Sequence, residues 1–181
     1  SRSLGATSAA LYSQATGFVM ILLYILITGD FVNRMDLPWY WWGLGLLAAG
    51  VHTFSLVMIY RAFEVGVLSI VTPIGASSAA ITVVLSAISG EQITLLNGLG
   101  MAAAIVGVVL AVRRPPTGDS KKKVEISAEQ GVIFALIAAL GFGVWFWLLG
   151  FHISPRFGPS VPVLLVRISA VIWLSLFFVS T

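Results

Sequence analysis

The sequence predicts an all-α, polytopic membrane helix bundle, and three observations carry that prediction. Hydrophobic residues make up 59% of the 181-residue chain and charged residues only 9%, where a soluble domain carries about 25% charged residues. The mean hydropathy is +1.02. The few charges cluster, which leaves uncharged runs at Ser3–Gly29, Leu37–Tyr60, Val65–Gly90, Gln92–Val112, Gln130–Pro155 and Phe157–Val166. About 20 apolar residues cross a bilayer as a helix. Six visible spans are therefore expected, at 8–28, 41–61, 66–89, 93–112, 129–152 and 159–180. The runs are continuous rather than alternating, which argues against a β-barrel.

The first span holds Gln14, a polar amide on an otherwise apolar rod. After it, GDFVNRMDLPWYWW forms a polar turn that leads into Trp39, Tyr40, Trp41 and Trp42. Clustered Trp and Tyr at a span end read as an interfacial belt. The second span carries His52 at its middle, with Ser55 about one turn on. An imidazole in lipid is costly and marks a functional candidate. It also titrates near neutrality, so it suits substrate contact or a coupling proton. RAFEVG then makes a tight turn in which Arg61 and Glu64, three apart, are placed to pair.

The third span, VTPIGASSAAITVVLSAISGE, combines a proline with many hydroxyls. Pro73 removes a backbone donor and predicts a kink. Ser78, Thr82, Ser86 and Ser89 recur along one helix face. Each hydroxyl alone is better explained by bonding back to its own helix or by close helix packing. Kink and stripe together, with Thr72 beside the proline, point to a face that lines a cavity. In the fifth predicted helix of the first repeat, Gly100, Ala103, Ala104 and Gly107 have the small-residue spacing of close packing.

The segment RRPPTGDSKKKVEIS, 113–127, is a surface linker by its prolines, glycine and charges. It divides the chain into residues 1–112, a central loop at 113–128, and 129–181. Ser127 and Gln130 have capping-box spacing, so a helix is expected to start there. In the next span Trp145 and Trp147 project about 160° apart, so at most one of them faces a cavity. Arg167 lies deep in the last span, about 12 Å along it at 1.5 Å per residue. It either reaches for the interface or meets an anionic substrate.

The chain also contains a weak internal repeat. With Gly5 set on Gly158, SLGATSAALYSQATGFV runs beside RFGPSVPVLLVRISAVI. Leu4 meets Phe157, Thr7 meets Ser160, Leu11 meets Leu164, Thr16 meets Ser169, and Gln14 meets Arg167. One repeat is then five helices, and an odd number inverts the second copy. Inverted repeats are a transporter architecture with the substrate site near the midplane. Ten helices are expected in all. The chain would hold the second to the seventh as an internal piece of a longer protein.

At GEQITLLNGLG, residues Gly90, Glu91, Ile93, Thr94, Asn97 and Gly100 fall in the order of a known junction motif. Here the chain resembles the EamA domain of the drug/metabolite transporter superfamily. YRAFEVGVLSIVTPIGASSAAITVVLSA resembles that family's third-to-fourth helix segment, and ALIAALGFGVWFWLL its repeat-opening helix. Arg167 sits where the family often has an arginine in the second helix of a repeat; Gln14 departs from this in the first copy. Glu91 reads as structural, its charge suiting the N-terminus of the next helix. The resemblance implies two inverted five-helix repeats in a multi-pass bacterial plasma-membrane protein that exports small metabolites or drugs by alternating access. A flippase of a lipid-linked substrate is the alternative on the same scaffold, and a structural subunit a further one.

Orientation is read two ways. Arg2, Arg61, Arg113, Arg114, Lys121, Lys122 and Lys123 fall on one side against Arg34 and Arg156 on the other, which puts the central loop in the cytoplasm. The resemblance, with cytoplasmic termini, implies the opposite. The partners expected are a small-molecule substrate, the lipid bilayer and a coupling proton, without nucleic acid: the net charge of +3 is small and sits in loops. No cofactor or metal is expected, since there is no cysteine and no clustered acid. An enzyme is not expected either, for want of HExxH or a Ser/His/Asp set.

Overall fold

A computed structural model describes residues 6–29, 35–91, 94–112 and 121–179. Among them the regular structure is all helix: α1 (Ala6–Thr28), α2 (Trp39–Val65), α3 (Leu68–Ala76), α4 (Ser78–Ile88), α5 (Leu95–Val112), α6 (Lys121–Leu148), a π-helical turn (Leu149–Ile153), α7 (Ser154–Phe157) and α8 (Ser160–Val179). Three runs among the described residues are long and apolar enough to cross a membrane: Trp39–Val65, Leu68–Ile88 and Glu129–Phe157. Tyr12–Thr28 and Ser160–Trp173 are shorter apolar stretches. In lipid a helix satisfies its backbone internally, which is why such apolar runs fold this way. The protein is thus an all-α polytopic membrane helix bundle. Its outward faces agree, since Leu26, Ile27, Leu95, Leu96 and Ile88 are all exposed.

The chain forms two compact units. One comprises Ser1–Thr53 with Leu148–Thr181, the other Phe54–Trp147. In the first, α1 packs along α8, and α7 packs on α8 and on the π-helical turn. Trp42 meets Phe157 edge to face at 4.9 Å. The Arg156 guanidinium lies 3.6 Å over the Trp41 ring and donates to the His152 carbonyl at 2.8 Å. The expected aromatic belt thus divides its labour: Trp39 stays exposed, while Trp41 and Trp42 hold the α7 end.

In the second unit α3 and α4 pack on α5, and Ala62, Val71 and Ala135 form a buried core joined by Ile59, Ile74 and Phe134. Arg61 and Glu64 make the expected pair at 3.2 Å. Such a partly exposed pair contributes about 0–1 kcal/mol.

Three sequence expectations change. The irregularity expected at Pro73 is found one turn later, at Ser77, where α3 ends and α4 begins. Ser77 has ψ −9, well short of the roughly −42° of a regular helix. Its hydroxyl donates to the Ile74 carbonyl at 2.6 Å, and its N–H is shared between the Pro73 and Ile74 carbonyls. A serine competing for the backbone bends the helix there, and Pro73 itself is buried within α3. The helix expected to start near Ser127 begins at Lys121 instead, so Ser127 and Gln130 lie inside α6 and not at a cap. The helix thereby enters the stretch assigned to the central loop; residues 113–120 lie outside the described residues. Among the described residues nothing packs on Gly100 or Gly107, where the sequence expects close packing: a Cβ at either would meet nothing within 4 Å.

Candidate functional site

The deep polar groups of the first unit gather on α8. Arg167 and Ser169 are two residues apart, so they leave the helix on nearly opposite sides. Arg167 turns to α1, where its Nη1 donates to Gln14 Oε1. Gln14 is buried and Arg167 half-buried. Gly17, one turn beyond Gln14, makes the room: a Cβ there would stand 2.7 Å from Arg167 Cζ. Ser169 turns to α2, its Oγ 3.2 Å from Thr53 Oγ1. Thr53 is buried and donates to the Ala49 carbonyl at 2.9 Å. His52 is the neighbour of Thr53 on α2, half-buried and within electrostatic reach of Arg167.

A guanidinium inside a span is expensive unless paired. Here the hydrogen-bond partner among the described residues is a neutral amide, which does not cancel the charge. The chemistry on offer is one cation, an amide and two hydroxyls.

The polar stripe of α4 serves the second unit differently. Thr82 Oγ1 lies 3.0 Å from the Ser78 carbonyl and 3.1 Å from the Gly143 carbonyl of α6. The lack of a side chain at Gly143 is what lets α4 approach, since a Cβ there would come within 2.5 Å of Ile81. Trp147 Nε1 donates to Ser89 Oγ at 2.8 Å, and Ser89 donates on to the Leu85 carbonyl at 2.9 Å. Ser86 is buried, and Ser78 is half-buried. Thr82 and Ser89 therefore tie α4 to α6, where the sequence suggested a cavity lining. Thr72 points away from this packing: it is exposed between buried Val71 and Pro73. Trp145 and Ser55 are both buried.

The junction residues form a backbone device. Gly90 has φ +89, a left-handed conformation that side chains resist. Its N–H bonds to the Ala87 carbonyl and the Glu91 N–H to the Ser86 carbonyl, each at 3.1 Å. That pair of bonds is a Schellman motif, which closes α4. Thr94 precedes α5 and its carbonyl accepts the Gly98 N–H at 3.0 Å, the bond of an N-cap residue. Glu91 is exposed, Gly100 lies in α5, and Asn97 is in α5 with its side chain outside the described residues.

Of the sequence candidates, the structure brings Gln14 and Arg167 together and sets His52 in the same unit. It adds Gly17, Thr53 and Ser169, which the sequence reading did not single out. Ser169 carried a signal, as a matched position of the internal repeat; Gly17 and Thr53 carried none. No group of three or more His, Cys, Asp or Glu side chains converges among the described residues.

Comparison with protein families matches residues 29–180, well over half of the chain, to the family described as Magnesium transporter NIPA. The match spans α2 to α8 and leaves α1 outside it. Neither the curated proteins nor the solved structures yielded a match.

Proposed function

Because the chain belongs to the magnesium transporter NIPA family, an integral membrane transporter family, we propose that it carries magnesium across the bilayer by alternating access. The family match from α2 through α8 is the observation that carries this reading. The EamA likeness is a resemblance of motifs and is not the family matched.

The chemistry of the described spans is compatible with one form of this cargo. Magnesium dehydrates reluctantly and keeps several waters. A path for the hydrated ion requires oxygen acceptors that touch its water, not a carboxylate cage. In the first unit Thr53 and Ser169 supply such oxygens. A coupling proton, if the cycle uses one, would be carried by His52, the imidazole midway along α2.

One observation favours a second reading. Arg167 places a positive charge inside a span with a neutral partner, which repels a dication and attracts an anion. On this reading the cargo is a small organic anion, exported as the drug/metabolite resemblance implies. A lipid-linked substrate carrying phosphate fits the same charge and is the flippase form of it.

The whole protein reconstituted in liposomes separates these. A magnesium-sensitive dye inside the vesicles should report entry above that of protein-free vesicles. Counterflow of labelled organic acids with no magnesium entry would transfer the assignment to the anion reading. Scrambling of a labelled phospholipid would transfer it to the flippase. Silence in all three would remove the carrier reading.

A further inference from the structure

Gln14 and Arg167 are related in two independent ways. In sequence they are equivalent positions of the internal repeat, set by Gly5 on Gly158. In space they are hydrogen-bonded to each other, and their separation of 153 residues is the repeat offset. Two symmetry-related residues touch each other only where the symmetry axis passes between them. This is the rule by which a residue on a two-fold axis meets its own copy in a symmetric dimer. We propose that the Gln14–Arg167 pair stands on the pseudo-two-fold axis between the repeats and is the pivot about which they rock. The proposal rests on the carrier reading above for its motion, and on the contact alone for its placement.

The pivot role follows from the symmetry. In an inverted-repeat carrier the inward and outward states arise by rocking one repeat against the other around a fixed site. The two states are then related by exchanging the conformations of the repeats. A contact between non-equivalent residues maps onto a different contact, so the symmetry does not require it to be kept in both states. A contact between equivalent residues maps onto itself and survives in both. The Thr53–Ser169 contact is of the first kind, because the equivalent of Ser169 is Thr16, which instead bonds to the Tyr12 carbonyl at 2.9 Å.

The pair also explains a departure within the repeat. Two arginines on an axis would face each other with like charge, which is destabilising. One copy therefore holds the guanidinium and the other its acceptor. The neighbouring residues are divided the same way. Gly17, against which the Arg167 guanidinium rests, is equivalent to Ala170, which is buried. The side that receives the arginine has lost its Cβ; the side that sends it has not.

Two experiments on the whole protein test this. The first exchanges the copies: Gln14→Arg, Gly17→Ala, Arg167→Gln and Ala170→Gly together. If the pair is on the axis, this variant melts close to the parent, and Gln14→Arg alone melts far below both. An exchanged variant no more stable than Gln14→Arg alone overturns the placement. The second introduces a cysteine pair into the whole protein with any other cysteines replaced; residues 1–181 hold none. Gln14→Cys with Arg167→Cys is joined by a short bifunctional thiol reagent, and turnover is compared with that of the same variant left unjoined. A pivot tolerates the tie, so transport stays within about twofold. Any larger loss relative to the unjoined variant marks a contact that must open and overturns the pivot. Magnesium and organic-acid fluxes are both read. If the parent protein moves neither, the carrier reading fails, while the melting experiment still decides the axis.

Discussion

The Arg167 guanidinium rests on the backbone of Gly17: a Cβ at that glycine would lie 2.7 Å from Cζ and 2.8 Å from Nε. Both atoms belong to the outer part of a flexible side chain, so Gly17→Ala is expected to push the guanidinium aside and leave the helices in place. What is lost is the bond to Gln14. A hydrogen bond to a charged group contributes about 1.5–3 kcal/mol. Gly17→Ala should lower the melting temperature in detergent, and so should Gln14→Ala. The double variant should add little to either, because both act through one bond. Additive losses would show that Gly17 matters for a different reason.

Gly90 supports a second prediction. Its φ of +89 lies where a side chain on an L-residue crowds the backbone, at a cost of about 1–2 kcal/mol. Gly90→Val should therefore destabilise by at least this amount, and Gly90→Asn by less, since Asn tolerates the left-handed region at helix ends. Thermal unfolding of the two variants beside the parent checks the order. Equal effects would mean that the Schellman closure of α4 does not depend on that conformation.

Much of this geometry was legible in the sequence, and what was not has physical reasons. The helices follow from apolar runs too long to be anything else. Gly90 followed by Glu91 marked a helix end because left-handed backbone selects glycine. Arg61 and Glu64 followed from helical spacing. The break at Ser77 was misplaced at Pro73, because proline announces a missing donor but not which neighbour will take up the bend. The start of α6 at Lys121 was hidden by a charge run that reads as a loop. Periodicity put the hydroxyls of α4 on one face but says nothing about what lies opposite. That a carbonyl of α6 and the Trp147 ring meet it is a tertiary fact. The Gln14–Arg167 contact was half visible: the repeat paired the two positions, and only the fold brought them together.

The α4–α6 contact gives a third prediction. Thr82 Oγ1 is 3.1 Å from the Gly143 carbonyl, and interhelical side-chain bonds in membranes contribute on average about 0.6 kcal/mol, up to about 1.7. Thr82→Val keeps the shape and removes the oxygen, so it should cost an amount in that range. Thr82→Ser should cost less. Gly143→Leu should cost more than either, because its Cβ alone would come within 2.5 Å of Ile81 and 3.1 Å of the Ser78 carbonyl. Overpacking of this kind costs about 1–3 kcal/mol. Unfolding monitored in mild detergent ranks the three. A neutral Gly143→Leu would show that α4 and α6 can separate freely.

The bond from Trp147 to Ser89 permits the sharpest energetic measurement. Trp147 Nε1 donates to Ser89 Oγ at 2.8 Å, and Ser89 donates to the Leu85 carbonyl. The hydroxyl of Ser89, one residue before Gly90, thus sits in a short chain of donors that ends on the Leu85 carbonyl, and it fastens the closing turn of α4 to α6. Trp147→Phe removes the donor and some ring area; Ser89→Ala removes the acceptor and leaves the indole N–H to find another partner. The two substitutions should not be additive. A double-mutant cycle is expected to give a coupling of about 0.6 kcal/mol, the average for such bonds in a membrane protein. The same cycle with Trp145→Phe in place of Trp147→Phe should give no coupling to Ser89, because Trp145 projects about 160° away on the helix. Coupling of Ser89 to Trp145, or none to Trp147, would mean that α6 presents its other face to the end of α4.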